Sequence, residues 1–343
     1  MPHHFHKRHH HRYEWWILAL IMLTAFVFRF QHILTYGNAV SAVFGTLTVL
    51  GLYFLTRKLF NWEIAAMAGF LMAISPWHTF FSRYGSVMIL TPFFLVWGLY
   101  FFWRGKTSVK WFDFALSGLF LGLGFYVHHA YYVMPVVVIL TLLAYWHAVN
   151  KDFGHEKYLQ SRHQLIRGFA LLMLVAMFVA LPWGWYRLVY PSEFLTDTTS
   201  MTTTLLFWPV GVLFVIGFIR SLMKLFKSRR THGHYATVQV LLLSWFLLGI
   251  LPIIVMYERL PDALDALLVI PVVFIFAGEG LWWLYDFCRK WYGIYDQHDV
   301  VVHEHTARES RVVAIVAICL LLGSIMVNEY RAFFDEIIFF LDK

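Results

Sequence analysis

The chain has 343 residues, 60% of them hydrophobic and 14% charged, with a formal net charge of +7. A soluble domain is nearer half apolar, so that class is excluded, and with it a nucleic-acid partner as the explanation of the positive charge. Cys288 and Cys319 form neither a CxxC pair nor a metal spacing, and no chemistry is assigned to them.

In chain order, the first twelve residues hold six His, two Arg and one Lys. This reads as a cytoplasmic tail over 1–14 lying against headgroups, with metal binding as the alternative open to His-rich tracts. Eleven apolar windows follow, at 15–34, 39–56, 62–77, 86–103, 113–131, 133–147, 166–188, 204–223, 236–256, 263–285 and 311–328. A helix needs about 20 apolar residues to cross the hydrocarbon core. Backbone polar groups in lipid must be satisfied within the segment, so the windows are read as helices. The expected fold class is all-α, a polytopic transmembrane bundle of eleven helices over 15–328.

The first window is too long for a signal core and lacks a small-residue cleavage site, so it is expected to be a retained anchor. Trp15, Trp16, Trp77, Trp103, Trp111, Trp183 and Trp185 fall at window ends, where interfacial anchoring explains them. Gly118 and Gly122 make a GxxxG step that lets two helix backbones approach closely. Pro135, Pro182, Pro209, Pro252 and Pro271 predict kinks or helix ends. Residues 329–343 mix Phe333, Phe334, Ile337 and Ile338 with Asp335 and Glu336, the pattern of an interfacial helix on the outer face.

With the N-terminus placed in the cytoplasm, 21 of the 27 Lys and Arg fall on the inner side. The outer side keeps Arg29, Arg83, Arg187, Arg259, Arg331 and Lys343. That asymmetry is what the positive-inside rule requires, and it predicts a multi-pass plasma (cell inner) membrane protein with its C-terminus outside.

Candidate chemistry was sought among ionisable residues on the outer side, since such groups near lipid usually face a cavity or a partner. Ser75-Pro76-Trp77-His78 leads to Ser82-Arg83. An arginine held by such a turn is a phosphate ligand through its planar fork, with His78 beside it; pairing with a lipid headgroup is the equal alternative. His128, His129 and Tyr131, at the end of the fifth window, are candidates to line a polar cavity. Consecutive residues on a helix point about 100° apart, so the two His cannot face one site equally. Tyr257-Glu258-Arg259-Leu260-Pro261-Asp262-Ala263-Leu264-Asp265 places three acids and an arginine in one outer loop. Helix capping accounts for such acids; the alternatives are a general base or a cation site. Glu193 and Asp197 are weaker candidates of that kind. His298, His303 and His305 match no standard metal spacing, and no metal site is assigned. Glu279, inside the tenth window, needs a partner that the sequence does not identify.

These stretches resemble the polytopic glycosyltransferases of GT-C type, and more closely the dolichyl-phosphate-mannose-protein mannosyltransferase-like family. The resemblance runs over 38–154 and again from Phe169 onward. It is carried by Ala42-Val43-Phe44-Gly45-Thr46-Leu47-Thr48, by the stretch from Ser75 to Arg83, and by Ser117-Gly118-Leu119-Phe120-Leu121-Gly122. Tyr190-Pro191-Ser192-Glu193-Phe194, the segment 261–271 and Asn328-Glu329-Tyr330-Arg331 extend it. It implies transfer of a sugar from a polyprenyl-phosphate carrier to an acceptor on the outer face, with inversion. Arg83 matches a usual family position, which makes it the expected donor-phosphate ligand. Three departures weigh against simple transfer of function. Between Arg29 and the second window there is no acidic pair; the extended segment expected before the eighth window is missing; and Pro261-Asp262-Ala263-Leu264-Asp265 stands where relatives carry His and Arg.

The reading is therefore a membrane glycosyltransferase in which Asp262 or Asp265 replaces the missing base. Arg83 and His78 would hold the donor phosphate, and His128, His129, Tyr131, Glu258 and Arg259 would line the cavity. The alternative is an inactive relative that binds a polyprenyl lipid or scaffolds another membrane protein. A transporter ranks below both, for want of an inverted repeat. The expected partners are a polyprenyl-phosphate sugar and membrane lipids; no cofactor is assigned, and a divalent cation is the open alternative.

Overall fold

The computed structural model describes residues 3–31, 38–83, 85, 87–152, 155–189, 206–228, 233–256, 265–295 and 303–341. Local chemistry sets each helix boundary. Helix α1 (His3–Phe30) takes in the His-rich residues as well as the first span. Helix α2 (Ala39–Leu59) is opened by Asn38, whose side-chain oxygen accepts from the N–H groups of Val40 (3.0 Å) and Ser41 (3.3 Å). Those donors have no partner inside the helix, which is why Asn is favoured there. Asn61 does the same for α3 (Trp62–Ile74), accepting from Ile64 at 3.0 Å.

Ser75 is extended (φ −64°, ψ 124°), as a residue before proline prefers. Pro76 then starts α4 (Pro76–Arg83), where a missing N–H costs nothing. The α3–α4 pair bends by 57° at this point. The remaining helices are α5 (Leu90–Ser108), α6 (Trp111–Gly124), α7 (Met134–Asp152) and α8 (His155–Val189), followed by α9 (Trp208–Ser228), α10 (Gly233–Met256), α11 (Ile270–Tyr295) and α12 (His303–Leu341). Three short 3-10 turns, Val87–Ile89, His129–Val133 and Asp265–Leu268, lead into α5, α7 and α11. Among the described residues there is no strand.

Seven helices are long and apolar enough to cross a membrane, and the bent α3–α4 pair makes an eighth. The shorter apolar stretches Trp111–Gly124, Tyr131–His147 and Tyr235–Leu251 bring the described set to the eleven windows of the sequence. The chain is an integral multi-pass membrane protein. Helix α12 continues unbroken past Glu329, so the segment 329–341 starts as an extension of the last span and not as a separate helix.

Helix α11 is the centre of the bundle, packed against α3, α9 and α12. Every residue from Ala266 to Leu281 is buried, as expected of a stretch apolar on all sides apart from Glu279. Lipid supplies no hydrophobic drive between helices, so close backbone contact at small residues takes its place. A Cβ on Gly118 would lie 2.5 Å from the Leu172 carbonyl oxygen, and one on Gly122 2.9 Å from that of Ala176. The GxxxG step therefore seats α6 on α8. A second such contact was not read from the sequence: side chains on Gly217 and Gly280 would overlap the carbonyl oxygens of Phe276 and Leu213, fixing α9 against α11. At the other extreme, Phe178, Leu181 and Leu188 on α8 are exposed to the lipid side.

Candidate functional site

Arg29 sits in the last turn of α1 and is wholly buried. Its Nη1 donates to the carbonyls of Ala25 and Ala73, both at 3.0 Å, and its Nη2 to that of Met72 at 3.4 Å. Met72 and Ala73 belong to the last turn of α3, whose carbonyls lack intrahelical partners and carry the negative end of the helix dipole. The guanidinium thus closes the end of α3 that the Ser75-Pro76 break leaves open. Its Nη2 also donates to His78 Nδ1 at 2.7 Å. Arginine can only donate, so Nδ1 accepts and the ring proton lies on Nε2.

His78 is fully buried on α4, and its Nε2 has no partner among the described residues. Ser82 Oγ donates to the His78 carbonyl at 2.6 Å and lies 3.5 Å from Nδ1. Helix α2 comes close here because residue 45 is glycine: a Cβ there would approach Ser82 Cβ to 2.6 Å and Arg29 Nε to 3.2 Å. Arg83 ends α4, with 8% exposure, and its Nη1 donates to the Phe28 carbonyl at 3.2 Å. Its own carbonyl accepts from Asn38 N–H at 3.0 Å. The start of α2, the end of α1 and the end of α4 are tied together through this one residue.

Tyr131 is fully buried; its hydroxyl donates to the Thr91 carbonyl at 2.7 Å. Gly124 has no side chain to obstruct its ring. Tyr131 is therefore a strut between α5 and α6 rather than a wall of an open cavity. His128 is buried at the α6–α7 turn. His129 and Asp265 lie in described backbone, and their side chains are outside the described set. Asp262, Glu258, Arg259, Glu193 and Asp197 lie outside the described residues.

The Asp265–Leu268 turn touches the His129–Val133 turn and α5, while α4 touches the Val87–Ile89 turn that feeds α5. Two of the candidate groups chosen from sequence thus adjoin each other, and α5 links them to the group on α4. Arg29 was missed as a site residue. Its signal was an arginine inside the first apolar window, counted in the sequence only among the outer-side charges.

Elsewhere, Glu14 accepts from Tyr53 Oη at 3.0 Å and from Arg57, and Asp113 accepts from Arg104 Nε at 2.8 Å and Ser108 at 2.7 Å. Glu279 pairs with Lys224 of α9, the partner the sequence left unidentified. No group of three or more metal-ligating side chains occurs among the described residues.

The family described as dolichyl-phosphate-mannose-protein mannosyltransferase matches residues 38–196. No curated protein sequence matches the chain. Among solved structures, the oligosaccharyltransferase AglB from Archaeoglobus fulgidus, in complex with an inhibitory peptide and a dolichol-phosphate, is similar with a TM-score of 0.50 at 14% identity. That match covers 84% of this chain and 44% of AglB. ArnT from Cupriavidus metallidurans, in the apo state, aligns with a TM-score of 0.47 at 16% identity, over 85% of this chain and 56% of that one. The chain thus spans roughly half the length of these proteins, and the likeness to AglB establishes a GT-C-like fold.

Proposed function

We propose that this chain, whose residues 38–196 match the dolichyl-phosphate-mannose-protein mannosyltransferase family by sequence and whose helices take a GT-C-like fold, is a membrane glycosyltransferase using a polyprenyl-phosphate-linked sugar. The observation that carries this is the buried Arg29–His78 pair setting α4 so that Arg83 stands at its end. Arg83, its Nη1 on the Phe28 carbonyl, carries the planar guanidinium that suits phosphate oxygens. His78, wholly enclosed, acts behind it by fixing Arg29. The dolichol-phosphate held by AglB supports a lipid ligand of this class.

In the reaction, the acceptor hydroxyl oxygen attacks the anomeric carbon and the bond from that carbon to the phosphate oxygen breaks. The polyprenyl phosphate leaves with the electron pair, its charge met by Arg83. Asp262 or Asp265 takes the acceptor's proton. His128, His129, Glu258 and Arg259 would line the adjoining space, with Tyr131 supporting it from behind. The cation distribution orients this end of the bundle outward, with the N-terminus in the cytoplasm of a cell whose inner membrane it spans.

Purified protein in lipid nanodiscs should release polyprenyl phosphate from a polyprenyl-phosphate sugar in the presence of acceptor. Arg83→Ala should weaken lipid binding, and Asp262→Asn or Asp265→Asn should abolish turnover with binding kept. Unchanged turnover in both Asp variants would remove the assignment of the base. The eight residues 31–38 contain no acid, and that favours a second reading, a non-catalytic polyprenyl-lipid-binding protein or scaffold. Lipid binding without turnover across donors and acceptors would establish it; failure to bind polyprenyl phosphate would sink both.

A further inference from the structure

Four acids are buried among the described residues: Glu14, Asp113, Glu279 and Glu329. Three have a cation: Glu14 meets Arg57 at 2.5 Å, Asp113 meets Arg104 at 2.5 Å, and Glu279 meets Lys224. Glu329 is 6% exposed and has no ion pair or hydrogen bond among the described residues. A carboxylate largely withdrawn from water with no cation beside it is costly, and a ligand that donates hydrogen bonds to it lowers that cost.

Its position indicates which ligand. Glu329 continues the buried stripe of α12 formed by Ala314, Ile318 and Ile325. That helix packs against α11, α3 and α4. Helices α11 and α12 are consecutive, and equal rise per residue brings Glu329 to about the level of the first turn of α11. The next residue, Tyr330, packs edge-on against Phe28 (centroids 5.7 Å, 82°) and accepts from Gln31 Nε2 at 2.9 Å. Phe28 is also the residue whose carbonyl receives Arg83. Glu329 is therefore the sequence neighbour of a residue whose ring shares Phe28 with the arginine assigned to the donor phosphate.

We propose that Glu329 binds hydroxyl groups of the donor sugar, an inference that rests on the reading of Arg83 as the phosphate ligand. A sugar offers adjacent O–H donors, and a carboxylate accepts two of them in short, charge-assisted bonds. Arg83 would take the phosphate, which every carrier lipid has, while Glu329 distinguishes a loaded carrier from an empty one. The role is binding and specificity, separate from proton removal at the acceptor.

The test compares affinities in phosphatidylcholine nanodiscs for polyprenyl phosphate and for a panel of polyprenyl-phosphate hexoses and pentoses. The wild-type protein should bind at least one loaded lipid about tenfold more tightly than the bare phosphate, as expected for charge-assisted hydrogen bonds. Glu329→Ala should abolish that gain with bare-phosphate affinity unchanged, and the near-isosteric Glu329→Gln should keep part of it. Arg83→Ala should weaken bare and loaded lipids equally. A wild-type protein indifferent to every sugar, or a Glu329→Ala protein that keeps the full gain, would overturn the proposal and leave the phosphate site standing. Loss of bare-phosphate affinity in both Glu329 variants would make Glu329 structural and overturn it as well. A wild-type protein that binds neither lipid would remove the donor site itself, and this inference with it.

Discussion

Arg29 Nη2 and His78 Nδ1, 49 residues apart in sequence, meet at 2.7 Å where α1, α3 and α4 converge. Among the described residues the pair buries a cation without a carboxylate: helix-end carbonyls and an imidazole nitrogen meet its charge. This explains how a proline break can sit inside the protein. The carbonyls freed at the end of α3 are taken up by a residue from another helix, so the break becomes a fixed corner. The position of Arg83 follows from that corner.

Arg29→Ala should therefore cost stability well beyond a single hydrogen bond. It leaves the Met72 and Ala73 carbonyls and His78 Nδ1 unmet in a buried place, an expected loss of about 2–4 kcal/mol. Arg29→Lys should recover roughly half, because an ammonium lacks the fork. Thermal unfolding in detergent measures both. Equal melting temperatures for wild type and Arg29→Ala would contradict the corner's role.

Gly45 should tolerate no side chain while Ser82 faces it. Gly45→Ala is expected to destabilise by about 1–3 kcal/mol through overpacking. The atoms it strikes first belong to the Ser82 side chain, so adding Ser82→Gly should return part of that loss despite the helix cost of glycine. A double-mutant cycle reads this as a non-additive pair; strict additivity would show that the two helices do not touch here.

Lys224 and Glu279 should behave as a unit. Lys224→Met leaves Glu279, 1% exposed, without its cation, at an expected cost of about 2–3 kcal/mol, lowered by the partial exposure of the lysine. Lys224→Met with Glu279→Met should be closer to wild type than Lys224→Met alone, since the buried charge has gone. The opposite order of melting temperatures would count against a direct pair.

The α9–α11 contact offers a sharper contrast. Gly217→Ala places a methyl on the Phe276 carbonyl, a backbone group that cannot turn aside, whereas nothing lies within 4 Å of a Cβ on Gly323. Gly217→Ala should lower stability by about 2 kcal/mol. Gly323→Ala, in the middle of α12, should leave stability unchanged or raise it by up to about 1 kcal/mol. Comparable losses in both would refute close α9–α11 packing.

Much of this architecture is local information, written in the sequence itself. The apolar windows, the turn at Ser75-Pro76 and the Gly118–Gly122 step each depend on a few consecutive residues, and each appears in the structure; the Asn38 and Asn61 caps, which were not read from the sequence, are equally local. Periodicity and capping act within one helix, so they can be read without knowing its neighbours. The pairing of Arg29 with His78 and of Lys224 with Glu279, the seat of Gly217 on Phe276, and the burial of Glu329 required the assembled bundle. In lipid every apolar face suits the solvent equally well, so hydrophobicity does not choose partners; close packing and the need to satisfy buried polar groups do, and both are properties of helices already in contact.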